Sequence, residues 1–309
     1  MTKKVGLLVM AFGTPSSYEG IEDYYTRIRH GHKPSTEQLQ ELTNRFKMIG
    51  LSPLIELTIA QADELYKQVN EVQSEVEFEL YLGFQHVAPF IGDKVREMHE
   101  NGIREVVAVA MAPHYSAFSV KGYHDAAYEV AKEYPDMHFT DIMEWWKEEK
   151  FSDFWANNIK EEFAKIPEEE HDKTVVILSA HSLPEKLMAI EDTYQHQVAD
   201  SAAEIIRKAN LKHAVQAWQS EGATADTWLG PDVQDVTRDL YQAHGYTHFI
   251  YCPFGFVTEH LEVFFDNDYE CKIVCDELGV SYHRPGMPNA NPTFVGSITD
   301  LIMKKLELN

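Results

Sequence analysis

The chain has 309 residues, 44% of them hydrophobic, with 27 basic against 50 acidic side chains and a formal net charge of -23. That length supports one large or two ordinary domains with a sizeable core. The acidic balance excludes the basic surface that binding nucleic acid or an anionic membrane requires. Three cysteines, Cys252, Cys271 and Cys275, supply neither a disulfide framework nor four ligands for a structural zinc or an iron–sulfur cluster.

The first residues, MTKKVGLLVM, are basic then apolar, but Gly13, Thr14 and Pro15 cut the run short. The segment reads as a first strand and not as a signal peptide. With no run of about eighteen apolar residues, a cytoplasmic, reduced protein without stable membrane insertion is expected. Further near-continuous apolar runs occupy 78–82, 106–112, 175–178, 215–218 and 249–252, after the first at 5–10. Such runs match parallel strands buried on both faces. Helical patterns lie between them, as at 91–100 and 233–244, which predicts a doubly wound α/β architecture.

The chain also repeats itself. LVMAFGTP at 8–15 resembles ILSAHSLP at 177–184, with Ala11 over Ala180 and Pro15 over Pro184. A second pair matches as amphipathic helix, Gly102 or Gly245, then strand. Two similar halves of about 150 residues follow, with a boundary near 144–151. Ligands in open α/β sheets bind beyond the carboxyl ends of the strands, so two facing halves form a cleft lined by those ends. The residues there are Phe12, His86, His114, His181, Ser220 and Glu221, followed by EHLEVFFDNDYE at 259–270. That last stretch carries Glu259, Glu262, Asp266, Asp268 and Glu270. On an α-helix the four-residue spacing of Glu262, Asp266 and Glu270 makes one acidic stripe. The stripe is either a place for a cation or a moving proton, or a solvated acidic face. One basic cluster, RIRHGHKP at 27–34 with Arg45 soon after, is either a solvated helix end or an anion clamp. On so acidic a chain, a clamp implies a substrate with carboxylates. No glycine-rich nucleotide motif is present.

SAHSLP at 179–184, WQSEG at 218–222, WLGPDV at 228–233, HLEVFFDNDYE at 260–270 and RPGMPN at 284–289 together resemble the ferrochelatases. The resemblance spans essentially the whole chain and is nearest the short, soluble, Gram-positive type. It implies a class II chelatase-like fold: two flavodoxin-like domains at 1–148 and 149–290, with a last helix at 291–309 packed back on the first. It implies insertion of Fe(II) into a porphyrin, coproporphyrin III in that branch; the alternatives are a cobalt or nickel chelatase for another tetrapyrrole and a non-catalytic tetrapyrrole carrier. Carried over by motif, His181 is the base and metal-facing residue and Glu262 its acidic partner. Asp266 and Glu270 form a ladder behind them, on a helix with a π-type stretch, which either passes protons out or takes in a metal ion, Mg(II) being one candidate. His86 belongs to an outer metal site. Arg29, Arg45, Ser52 and Tyr123 hold propionates, and Phe12 stands at the ring where the branch has tyrosine. No permanent cofactor is implied, and no stable partner. A monomer is expected, in passing contact with an upstream porphyrin oxidase and a downstream coproheme decarboxylase. The chemistry agrees: two pyrrole N–H protons must leave as metal enters, and a neutral histidine is a suitable base. Gln85 replaces a usual lysine, and DTYQ at 192–195 replaces DPYP.

Overall fold

The computed structural model describes residues 3–190, 193–222 and 224–308. Asp192 of the DTYQ segment lies outside the described residues. Two four-stranded parallel sheets form the frame. The first contains β1 (Lys3–Ala11), β2 (Val76–Phe84), β3 (Glu105–Ala110) and β4 (His138–Ile142) in the order β2-β1-β3-β4. The second contains β5 (Thr174–His181), β6 (Ala214–Gln219), β7 (His248–Cys252) and β8 (Ser281–His283) in the order β6-β5-β7-β8. The same order occurs twice, so the internal repeat of the sequence is a repeat of topology. β1 and β5 hold the same place in their sheets. Phe12 directly follows β1, and His181 is the last residue of β5.

The central strands form because their β-branched and aliphatic runs bury both faces. Seven consecutive residues of β1 and of β5 are buried. Two strands are not visible as apolar runs. β4 and β8 are short sheet edges with mostly half-exposed residues, so neither needs continuous apolar side chains. The third strand ends at Ala110, two residues before the apolar run does.

Helices cover the sheets: α1 (Ile21–Ile28), α2 (Thr36–Ile49), α3 (Leu54–Glu71), α4 (Ile91–Glu100) and α5 (Val120–Ala131) in the first half. α6 (Glu149–Phe163), α7 (Tyr194–Ala209), α8 (Val233–His244) and α9 (Lys272–Leu278) follow, then α10 (Pro292–Leu306). Polar side chains set several of their starts. Ser35 and Gln38 close a capping box on α2, Asp232 caps α8, and Asn291 caps α10 ahead of Pro292. α10 crosses to the first half. Gln68 of α3 donates to the Pro292 carbonyl at 2.9 Å and accepts from Thr299 at 2.9 Å, and Lys305 donates to the Asp141 carbonyl at 3.0 Å. Beneath it, Trp145, Phe151, Phe154 and Phe294 pack ring against ring at 5.2–5.8 Å. This core runs without interruption from one half into the other.

Candidate active site

His181 is placed by the backbone on either side of it. Ser179 Oγ donates to Gln219 Oε1 at 2.7 Å, and the buried Gln219 carboxamide exchanges hydrogen bonds with Asn267 at 3.0 and 3.2 Å. β5, β6 and the helix carrying the acidic stretch are thereby locked together. Ser182 N donates to the Gln219 carbonyl and Ser182 Oγ to the Leu229 carbonyl, both at 2.7 Å. Tyr194 of α7 donates to the His181 carbonyl at 3.1 Å. The loop after β7 reaches the same strand end through Gly255. A Cβ there would lie 2.5 Å from Ala180 Cβ, so only glycine lets the two backbones approach this closely. The SAHS and WQS motifs are thus the lattice that holds the imidazole.

The acidic stretch is not the α-helix that a four-residue stripe assumes. From Val263 to Cys271 it is a π-helix, with Glu262 as its N-cap and α9 continuing from Lys272. The five carboxylates fall into two groups. Glu259 and Asp268 pair with Arg284, whose Nε donates to Asp268 at 2.6 Å and whose Nη2 lies 3.3 Å from Glu259. Glu262 meets His181 and His260, Asp266 meets Ser220 and Arg45, and Glu270 meets Gln234 of α8. The group is not a solvated face, since Asp266 is only 5% exposed.

Glu262 stands between two histidines. Its Oε1 lies 3.7 Å from His181 Nε2, and its Oε2 lies 3.4 Å from His260 Nε2. His260 Nδ1 meets the Thr258 carbonyl at 3.0 Å, which directs Nε2 at the carboxylate. Burial works to lower the His181 pKa, but the Glu262 charge and the contacts to Glu262 and the Ser182 carbonyl outweigh it and raise it. Burial likewise opposes ionisation of Glu262, yet His181 and then His260 hold it well below the usual carboxylate range. The pair therefore favours imidazolium facing carboxylate. One step behind, burial and the Glu262 charge push Asp266 up to about 7, against a hydrogen bond from Ser220 and the Arg45 charge. Ser220 makes that bond from φ +62, a left-handed conformation rare for serine. Glu270 is also raised, chiefly by burial, and accepts from Gln234 Nε2 at 3.1 Å.

The first half supplies an aromatic wall. Phe12 packs on His86 with ring centroids 4.4 Å apart, and Tyr24 of α1 stands edge-on to both, at 6.3 and 6.4 Å. Gly13, at φ +87, turns the chain immediately after Phe12. Burial drives the His86 pKa down to about 4, aided by His30 and Arg27, so its ring is neutral and keeps a nitrogen lone pair able to ligate. Burial and then the Glu262 charge raise the Tyr24 and Tyr123 hydroxyls well above the usual phenol range. Both phenols, on α1 and α5, therefore stay neutral within reach of the Glu262 charge.

The basic residues fall differently. Arg29 ends α1, donates to the His32 carbonyl at 3.3 Å and stacks over Tyr25. Arg45 of α2 crosses the cleft: its Nη1 is 3.8 Å from Asp266 Oδ1, its guanidinium lies over Phe265, and its Nη2 binds Glu41 at 2.9 Å. In this state Arg45 is committed to the ladder. Ser52 Oγ accepts from Leu54 N at 3.3 Å where α3 begins. Two strand-end residues do not join the cleft. His114 is 2% exposed and packed among Trp146, Phe151, Tyr194 and Phe254, with Nε2 on Ser201 Oγ at 2.8 Å. It braces β3 against α7, as the apolar ring of neighbours requires. Glu221 is exposed to solvent. The sequence reading missed His260 and Tyr24. His260 is two residues from Glu262, a spacing that shares no helix face. It is recruited because it sits in the turn just before the helix. Among the described residues, no group of three or more His, Cys, Asp or Glu side chains gathers closely enough to hold a metal ion, and no helix is long and apolar enough to cross a membrane.

The arrangement can therefore bind a flat ligand between aromatic and acidic walls, and move protons between a histidine and carboxylates. Its fold is found in solved chelatases. SirB from Bacillus subtilis with Fe3+ matches with a TM-score of 0.61 at 12% identity, covering 98% of this chain and 95% of that one. The sirohydrochlorin chelatase SirB in complex with cobalt matches with a TM-score of 0.59 at 11% identity, over 98% and 96%. At that identity the likeness establishes the fold alone: two facing α/β units with parallel sheets. Full-length relatives are much nearer in sequence. A protein of Geobacillus sp. described as coproporphyrin III ferrochelatase is 50% identical over 99% of both chains. One of Oceanobacillus iheyensis with the same description is 51% identical over 98% of this chain and 97% of its own. The ferrochelatase family model covers residues 4–306, and on that match and those relatives the chain belongs to the ferrochelatase family.

Proposed function

We propose that this protein inserts Fe(II) into coproporphyrin III to give coproheme, a step of heme synthesis. The observation that carries the reading is the His181–Glu262 pair, 3.7 Å apart, in a chain half identical to coproporphyrin III ferrochelatases along its whole length. Iron is the substrate here and no resident cofactor is needed. The macrocycle lies against Phe12, with Tyr24 and Tyr123 beside it. A metal ion nearing Glu262 draws on the charge that holds the His181 proton. His181 then gives that proton up and takes the pyrrole protons in turn, with Glu262 and His260 passing them on. Asp266 and Glu270 are the onward route for protons or the inward route for a divalent ion such as Mg(II) or iron.

Arg29 and Ser52 hold propionates from the rim, and Arg45 does so after releasing Asp266. His86 serves the outer side of the ring. The first unit is 1–148 and the second 149–290, with the last helix assigned to the first; its bonds to Gln68 and Asp141 support that assignment. The protein acts as a cytoplasmic monomer. It receives porphyrin from an oxidase and passes coproheme to a decarboxylase by transient contact. The test is anaerobic Fe(II) insertion with coproporphyrin III and protoporphyrin IX side by side, and Co(II) as the competing metal. Coproporphyrin with Fe(II) should turn over fastest. A clear preference for the two-propionate ring, or for cobalt, overturns the substrate assignment.

A further inference from the structure

Gln61 lies on α3 in the first half and is fully buried, yet its carboxamide leaves its own half. Nε2 donates to the Val257 carbonyl at 3.1 Å and to the Asn289 carbonyl at 2.9 Å. Both acceptors are in the second half. Two carbonyl neighbours admit only the orientation with nitrogen towards them. Among the described residues Oε1 meets no hydrogen-bond donor, and the two donated bonds fix the group. The two donated bonds, and not the oxygen, are what the side chain contributes here.

The receiving segment is braced in turn. Asn289 N donates to the Val257 carbonyl at 3.0 Å, and Glu259 N donates to Asn289 Oδ1 at 2.9 Å. Asn289 does this from φ +48. Next along the chain, the Thr258 carbonyl sets the His260 ring, and His260 flanks Glu262. A connected series of hydrogen bonds therefore runs from α3 to the residues bearing the His260–Glu262 contact. The other polar contact across this side of the cleft, Arg45 with Asp266, is longer at 3.8 Å and a third exposed. It can yield when substrate enters. The Gln61 contact is enclosed and directional, and it stays.

We infer that Gln61 is a positioning residue: its two donors index the 257–262 segment to the first half and so set Glu262 relative to His181 and the bound ring. This rests on the iron-insertion reading above. The experiment compares wild type with Gln61→Met, which keeps length and removes both donors. It reads amide exchange, kcat and KM for porphyrin, and the pH profile of kcat. Exchange should rise across 257–262 and not in β1. kcat should fall about 10- to 100-fold, as for groups that orient a ligating residue, with KM for porphyrin unchanged and the pH profile displaced. A lower melting temperature with unchanged kcat and pH profile would show that Gln61 only joins the halves, and the inference falls. Exchange that rises evenly through both halves says the same. Should Gln61→Met not fold, Gln61→Asn keeps the amide but withdraws both donors from the Val257 and Asn289 carbonyls by one methylene. The same kcat loss supports the inference, and normal kcat overturns it. A wild type that inserts no iron defeats the functional reading, while the exchange comparison still decides the role of Gln61.

Discussion

Asp266→Asn should stabilise this protein, and more so at higher pH. The carboxyl is nearly enclosed, beside Glu262, and its pKa rises from 3.8 to about 7. A raised folded-state value means that the folded protein holds the proton more tightly than the unfolded chain does. That contribution to stability is complete below pH 3.8 and is lost as pH rises through 7. About three units at 1.36 kcal/mol each amount to roughly 4 kcal/mol lost by pH 8, against roughly 1.6 kcal/mol at pH 5. Asparagine keeps the acceptor for Ser220 and never ionises, so it escapes the loss. The Arg45 contact given up is 3.8 Å long and partly solvated, worth under about 1 kcal/mol. Urea unfolding of both proteins at pH 5, 7 and 8 should therefore show an advantage for Asp266→Asn that grows by about 2.5 kcal/mol from pH 5 to 8. An advantage independent of pH, or a variant less stable throughout, would show that Asp266 is an ordinary ionised partner of Arg45. Turnover of the variant should fall if the ladder carries protons or metal.

Arg29→Ala should raise KM for coproporphyrin with little change in kcat, the mark of uniform binding lost. Steady-state rates over a porphyrin titration read this directly, and an equal fall in kcat and kcat/KM contradicts it. Phe12→Tyr should leave insertion intact, add a phenolate signature to the product's resonance Raman spectrum and slow product release. Identical spectra in the two proteins would mean that position 12 does not face the metal. His260→Ala should lower kcat and leave porphyrin affinity unchanged, since the ring touches Glu262 and not the aromatic wall. A changed affinity alone would move His260 out of the proton path.

Most of the frame was legible because buried parallel strands announce themselves as apolar runs, and because the repeat matched Ala11 to Ala180. β4 and β8 escaped because edge strands need little burial. The acidic stretch shows where pattern reading stops. Spacing by four fits an α-helix, but the chain forms a π-helix, fixed by contacts from elsewhere: the Gln219–Asn267 bonds and Arg284 on Asp268. His181 and Glu262 were readable from motifs and strand ends. His260, Tyr24 and the cross-cleft reach of Arg45 were not, since each depends on how the halves meet. His114 followed a strand like the others, and only its ring of aromatic neighbours makes it structural.

The central claim is that His181, held against Glu262, takes the porphyrin's protons. Its most direct test is iron insertion by His181→Ala under anaerobic conditions, with porphyrin affinity measured on the same preparation by fluorescence quenching. The account predicts unchanged porphyrin affinity and turnover reduced by about 100-fold or more, the usual scale for a lost general base. Near-normal turnover with intact binding would contradict it.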